Sequence, residues 1–198
     1  MMGDADTPAP PEQKSPAPAK RSFHPLLWLV AAVVVGMLIE GFTRPAGEAH
    51  TPAPLPPLLV EGWVNTGPGA TPSRESLAGR LVVIDAWATW CPPCVASLPQ
   101  MAKLREEFST DDVAFLGLTS EPGSQLDRVE AMIERIDGFD WPVGYGAKTT
   151  WEAMGVYQIP TLVLYDRTGV SVWRGHSTAD LRRELRARSE GAAGGGTL

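Results

Sequence analysis

Two cysteines occur in the 198-residue chain, three positions apart in Trp90-Cys91-Pro92-Pro93-Cys94. A thiol pair at this spacing can exchange with a disulfide, hold a soft metal, or close a small structural ring. A stapling bridge joins distant segments, because closing a long loop constrains the unfolded chain more; here the ring is minimal. Half a zinc site would need two further ligands, and the histidines are His24, His50 and His176, the first two far toward the N-terminus. Exchange chemistry fits best. The mostly apolar Leu81–Trp87 reads as a strand buried on both faces. After it, Val95, Leu98, Met101, Ala102, Leu104 and Phe108 recur at helical spacing, so Pro92–Phe108 is predicted as a helix, kinked at Pro99. Cys91 then falls at the helix N-cap, where backbone N–H groups and the helix dipole favour a thiolate. Pro92 suits the first helical turn, where its missing N–H is no loss. Cys94 lies one turn further in, on the same face, placed to attack a mixed disulfide on Cys91 and release the substrate.

Asp85 is the second residue of interest. A carboxyl inside Leu-Val-Val-Ile-Asp-Ala-Trp is either buried, with its pKa raised, or on an edge strand facing water. Trp90 is expected to shape the site. Trp87 serves either the site or the core.

The remaining elements must position this pair. Leu58–Val64, Val113–Leu118, Thr161–Tyr165 and Val170–Trp173 are strand candidates, the last two joined by the turn Asp166-Arg167-Thr168-Gly169. Ser73–Arg80 reads as a connection. Ser124 is expected to cap a helix reaching about Ile136, Thr150–Met154 to form a short helix, and Ser177 or Thr178 to cap a final helix to about Arg188. The order is β-β-α-β-α-β-β-α, an α/β fold with a mixed sheet flanked by helices. His176 reads as a solvated loop residue, and the arginines at 182, 183, 186 and 188 as a solvated helix face.

Outside the domain, assigned to residues 58–190, composition changes. Residues 1–22 are rich in Pro, Ala and small polar residues and are expected to be disordered, on the cytoplasmic side. Residues 23–42 carry one formal charge, Glu40, and as a helix would reach about 30 Å, one hydrocarbon thickness. Lys14, Lys20 and Arg21 precede them, which keeps the N-terminus cytoplasmic. The segment is predicted to be a transmembrane anchor or a signal segment; Gly47-Glu48-Ala49 is the best cleavage site, and a buried core helix fits poorly. Residues 43–57 hold five prolines and are predicted to be a semi-rigid spacer of roughly 40 Å. Residues 191–198 read as a flexible tail. The net charge of −6 argues against a nucleic-acid partner, which would need clustered Lys and Arg.

Val82-Val83-Ile84-Asp85-Ala86-Trp87-Ala88-Thr89-Trp90-Cys91-Pro92-Pro93-Cys94, the later Pro99, and Ile159-Pro160-Thr161 before a strand and hairpin resemble the thioredoxin superfamily, in its membrane-associated TlpA/ResA-like branch. The resemblance spans about residues 58–188. It implies a three-layer thioredoxin-like fold with an N-terminal β extension. It implies that Pro160 is cis and that backbone around Ile159 and Thr161, with Trp90, Pro92 and Pro93, meets an extended substrate strand. It implies that Asp85 takes or relays the proton of Cys94. It implies a domain on the periplasmic side of the inner membrane, reducing disulfides in exported proteins, in cytochrome c maturation or related redox homeostasis. Electrons would come from a membrane carrier similar to DsbD or CcdA. No cofactor or metal is expected beyond the redox-active disulfide itself. Pro92-Pro93 places no cation between the cysteines, which also favours a reductant. One departure stands out: Ser97 occupies a position where many relatives carry Glu. Two other readings fit the residues less well. A peroxiredoxin would want Thr at position 88, which is Ala. A copper metallochaperone would space its cysteines one further apart and add a histidine.

Overall fold

The computed structural model describes residues 50–67, 71–108 and 111–193, with side chains through residue 189. At their centre is a six-stranded sheet in the order β1-β4-β3-β2-β5-β6. The strands are β1 (Gly62–Val64), β2 (Leu81–Ala86), β3 (Val113–Leu118), β4 (Val143–Tyr145), β5 (Thr161–Tyr165) and β6 (Ser171–Gly175). β2, β3 and β4 run parallel; β1, β5 and β6 pair antiparallel with their neighbours. The helices are α1 (Arg74–Leu77), α2 (Pro92–Glu107), α3 (Leu126–Glu134), α4 (Lys148–Ala153) and α5 (Thr178–Ala193).

Every residue of β2, β3 and β5 is buried, as their near-continuous apolar runs require. Strand alternation divides them between two cores. Leu81, Val83 and Trp87 of β2 and its exit pack with Cys94 and Leu98 of α2, Val129 of α3 and Leu181 of α5. Val82, Ile84 and Ala86 pack on the other face with Leu77, Ala147 and Met154. The result is a thioredoxin-like layer of sheet between helices, the predicted fold class.

Several expectations change in detail. β4 was not anticipated: three residues between Trp141-Pro142 and Gly146 are too few to display a period. α1 replaces the predicted connection, closed by a capping box between Ser73 and Ser76. Ser124 lies inside a 3₁₀ turn, Gly123–Gln125, rather than capping α3, and no side chain caps that turn. Ser177 is the cap of α5, its hydroxyl accepting from the Asp180 N–H at 3.3 Å. α5 runs on to Ala193, through the first three residues of the expected tail. β1 holds only the last part of the strand predicted over Leu58–Val64.

The proline-rich stretch behaves differently from a spacer along residues 50–57. Ala53 and Leu55 sit between prolines and keep their amide N–H groups. Leu55 donates to Gly169 O at 2.8 Å, Ala53 donates to Ser171 Oγ at 2.9 Å, and Ser171 N donates to Ala53 O at 2.8 Å. Proline is tolerated at a sheet edge, where half of the N–H groups face away from any partner. This segment therefore extends the β6 edge, with Leu55 buried beneath it. The expected disordered terminus, the transmembrane or signal segment and residues 43–49 of the spacer lie outside the described residues, as do residues 194–198. Among the described residues no helix is long and apolar enough to cross a membrane.

Candidate active site

The chain leaves β2 through Trp87 and Ala88, both fully buried. Trp87 N donates to Leu118 O at 3.0 Å, and Cys91 N returns to Ala88 O at 3.2 Å, so a tight turn delivers Cys91 to the start of α2. Cys91 is the N-cap, with extended backbone, and its sulfur accepts from the Cys94 N–H at 3.3 Å. Pro92 and Pro93 fill the first two helical positions, where no intrahelical donor is needed. The two cysteines form a disulfide with Cα atoms 5.3 Å apart. What surface the pair shows belongs to Cys91, 4% exposed against 0% for Cys94. Cys91 is therefore the more accessible residue of the pair, and Cys94 the more enclosed. Trp90, Pro92 and Pro93 are exposed around it. α2 continues through Pro99 to Glu107. Ser97 donates to Cys94 O at 2.7 Å, using its hydroxyl on the helix backbone.

The Ile159-Pro160 peptide is cis. β5 starts at Thr161, opposite Ala86 of β2, so this loop and the turn to Cys91 leave the same end of the sheet. Ile159 and Pro160 are partly exposed. Thr161 differs: it is buried, its hydroxyl donates to Gln158 O at 2.7 Å, and its Cα lies in register with the neighbouring strand. The reachable part of the loop is therefore Gln158 to Pro160. His176, read from sequence as a solvated loop residue, is exposed but bonded to this loop. Its Nδ1–H donates to the Pro160 carbonyl, and its Nε2 lies 2.9 Å from Gln158 Nε2, accepting from the amide.

Asp85 is 3% exposed, which decides between the two readings of this residue: it is a buried acid in a central strand. Alternation places it with Val83 and Trp87, on the face that carries Cys94. Burial alone pushes its carboxyl up to about 7. Its neighbour in register on β3 is Gly117, where a Cβ would stand 3.0 Å from Trp87 Nε1. Trp87 itself is core, its ring centroid 5.9 Å from that of Phe139.

Sequence reasoning missed Glu121, just past β3. It is 3% exposed, and three donors converge on its carboxyl. Thr89 N donates to Oε2 at 3.0 Å, Thr119 Oγ1 donates to Oε2 at 2.8 Å, and the Thr89 hydroxyl donates to Oε1. An acid in a Thr-Ser-Glu-Pro loop looks ordinary in sequence; only the two threonines that converge on it, buried Thr119 and half-buried Thr89, reveal it. Among the described residues no three His, Cys, Asp or Glu side chains gather to hold a metal ion.

A buried disulfide at the N-terminus of the helix after a central strand, beside a cis-proline loop, defines a thioredoxin-superfamily protein. The chain belongs to the Redoxin family, whose model matches residues 54–184. Among characterised relatives, the thioredoxin-like protein YneN of Bacillus subtilis is 28% identical over 103 residues, which cover 52% of this chain and 59% of that one. Thiol-disulfide oxidoreductase ResA of Halalkalibacterium halodurans is 28% identical over 121 residues, 59% of this chain and 66% of the relative. Thiol:disulfide interchange protein DsbE of Allochromatium vinosum is 27% identical over 153 residues, 67% and 77% of the two chains. The matches thus span less than two thirds of the length of YneN and of ResA. Among solved structures, a thioredoxin-like superfamily protein superposes with a TM-score of 0.57 at 28% identity, covering 68% of this chain and 95% of that one. A thiol-disulfide isomerase of Corynebacterium glutamicum, at 24% identity and TM-score 0.59 over 69% and 96% of the chains, shares the fold.

Proposed function

We propose that this chain is a thiol–disulfide oxidoreductase that reduces disulfides in exported proteins through Cys91 and Cys94, tethered by residues 23–42 with its domain on the extracytoplasmic side of the membrane. The observation that carries the chemistry is the asymmetry of the pair: Cys91 caps α2, accepts the Cys94 amide and holds the only exposed edge.

In the reduced protein the Cys91 thiolate attacks a target disulfide. A bond forms from Cys91 to one target sulfur, the target S–S bond breaks, and the departing thiolate takes a proton from water. Cys94 then loses its proton to Asp85 and attacks Cys91. The Cys91–Cys94 disulfide forms, the second target sulfur leaves with the proton, and two electrons have passed from the pair to the target. A carboxyl with a pKa of about 7 suits this duty, because it can both take and give a proton near neutrality. An extended target strand would lie against the Gln158 to Pro160 backbone and the exposed Trp90 ring. The pair itself is the redox centre, without added cofactor or metal. Electrons would be restored by a membrane carrier of the DsbD or CcdA kind. The relatives named for thiol–disulfide oxidation and reduction support this reading, as does the hydrophobic segment ahead of the domain. A role in cytochrome c maturation is the specific branch of it.

Trapping tests the proposal. With Cys94 changed to Ala in the full chain, expressed with residues 1–57 in place, the first attack proceeds and the second does not, so mixed disulfides on Cys91 should accumulate with extracytoplasmic proteins. Apocytochrome partners would support the cytochrome branch. Absence of any mixed disulfide, with Cys91 intact and reduced, would contradict the proposal.

A further inference from the structure

Glu121 has no part in the electron path just described, yet it is among the most completely satisfied polar side chains near the site. It sits just beyond the C-terminal end of β3, on backbone that the sheet holds firmly. Gly146 N donates to Glu121 O at 2.7 Å, Thr119 N to Gly144 O at 2.9 Å, and Ala147 N to Thr119 O at 2.8 Å. From that base its carboxyl reaches across to Thr89, two residues before Cys91, and takes both the amide and the hydroxyl. Thr119, fully buried, supplies the third donor from the same loop.

A buried carboxyl is costly unless its lone pairs are matched, and a matched one holds its partners in one geometry. The partner here is the Ala88-Thr89-Trp90 turn. This turn has few ties of its own: the Cys91 N–H bond to Ala88 O closes it, and the Glu121 carboxyl is what fastens Thr89. The turn sets where Cys91 stands relative to the Cys94 amide and the open end of α2.

We propose that Glu121 is a positioning residue for the exchange reaction: by clamping Thr89 to the end of β3 it holds the Cys91 sulfur over the N-terminus of α2, where the thiolate is stabilised. The inference rests on Cys91 being the reactive sulfur. It makes the reactivity of Cys91 depend on a residue thirty positions away that touches neither sulfur.

The test measures the pH profile of Cys91 alkylation in the reduced full chain, with thiol fluorescence or mass spectrometry reporting the site. Glu121→Ala removes all three side-chain hydrogen bonds. The turn loosens, the sulfur leaves the Cys94 amide, and the midpoint should rise by about half a pH unit or more, roughly a threefold loss of thiolate below the midpoint. Glu121→Gln is the conservative variant. Its oxygen can still accept from Thr89 N–H and Thr119, and its amide can donate to the Thr89 hydroxyl, so it should recover most of the wild-type profile. Thr89→Val keeps the carboxyl and loses one hydrogen bond, so its midpoint should rise by less; Thr89→Ser should restore it. These two settle the matter if Glu121→Ala does not fold. A role through charge rather than position predicts the reverse: the midpoint would fall, and Glu121→Gln would move it as far as Glu121→Ala. That pattern, or midpoints unchanged in both Glu121→Ala and Thr89→Val, overturns the inference. A wild-type Cys91 that does not alkylate at all would instead sink the exchange reading beneath it.

Discussion

Changing Cys91 to Ser should reduce the proposed disulfide-reductase activity to background, a loss of roughly a thousandfold or more, because a serine hydroxyl does not ionise near neutrality and the remaining thiol, Cys94, is fully buried. The geometry makes the two cysteines unequal. Cys91 has the exposed edge and the amide of Cys94 at 3.3 Å, while Cys94 is fully buried one turn into α2. Cys94→Ser should therefore keep the first half of the reaction and stop at a covalent complex, one equivalent per chain. Turnover of a fluorescent disulfide peptide separates the two: no product and no adduct for Cys91→Ser, adduct without turnover for Cys94→Ser. Equal residual turnover in both variants would mean that the sulfurs are interchangeable and the structural asymmetry carries no function.

The second large effect concerns stability and has the opposite sign from its effect on activity. Burial raises Asp85 from an ordinary 3.8 to about 7 in the folded chain. The folded state then binds the proton more tightly than the unfolded one. Below about pH 4 both states hold it and the group costs little. Between about 4 and 7 the unfolded chain has released its proton while the folded one keeps it, so stability falls as pH rises, and above 7 a constant cost remains. Three units correspond to a cost on the order of 4 kcal/mol, an upper figure because water can enter and the strand can relax. Asp85→Asn removes the ionisable group at similar volume. It should match the parent near pH 4 and be more stable by a few kcal/mol at pH 8, read from urea unfolding of the oxidised protein at the two pH values. Its turnover at neutral pH should drop roughly tenfold or more, because the proposed proton acceptor of Cys94 is gone. A stability difference that is the same at pH 4 and pH 8 would show that Asp85 does not titrate in this range.

The parts of this site that follow from local chemistry were legible in the sequence. An apolar run of Val and Ile ending in Trp87, then Pro92 and Pro93 between cysteines, specifies a buried strand, a turn and a helix start without any long-range information. Asp85 announces itself by being a charge where none belongs. Long-range pairings were less visible. β4 is recognisable only as the partner of β1 and β3, since Val143-Gly144-Tyr145 has no periodicity of its own. Residues 50–57 read as spacer because prolines dominate the composition, whereas the alternating amides of Ala53 and Leu55 decide their fate by meeting the β5–β6 hairpin. Glu121 and His176 are the same kind of case at the site itself. Each is polar, in a loop and unremarkable in sequence, and each acquires meaning from a partner, Thr89 or the Pro160 carbonyl, that folding brings to it.

The account as a whole depends on the Cys91 sulfur being ionised and reachable once the disulfide is opened. The most direct measurement reduces the full chain, exposes it to a small excess of iodoacetamide at pH 7, and maps the labelled residue by mass spectrometry over time. The expected result is rapid labelling of Cys91, faster than that of a free cysteine peptide with an ordinary pKa near 8.5, while Cys94 stays unlabelled. Slow labelling of both residues, or labelling of Cys94 first, would contradict it.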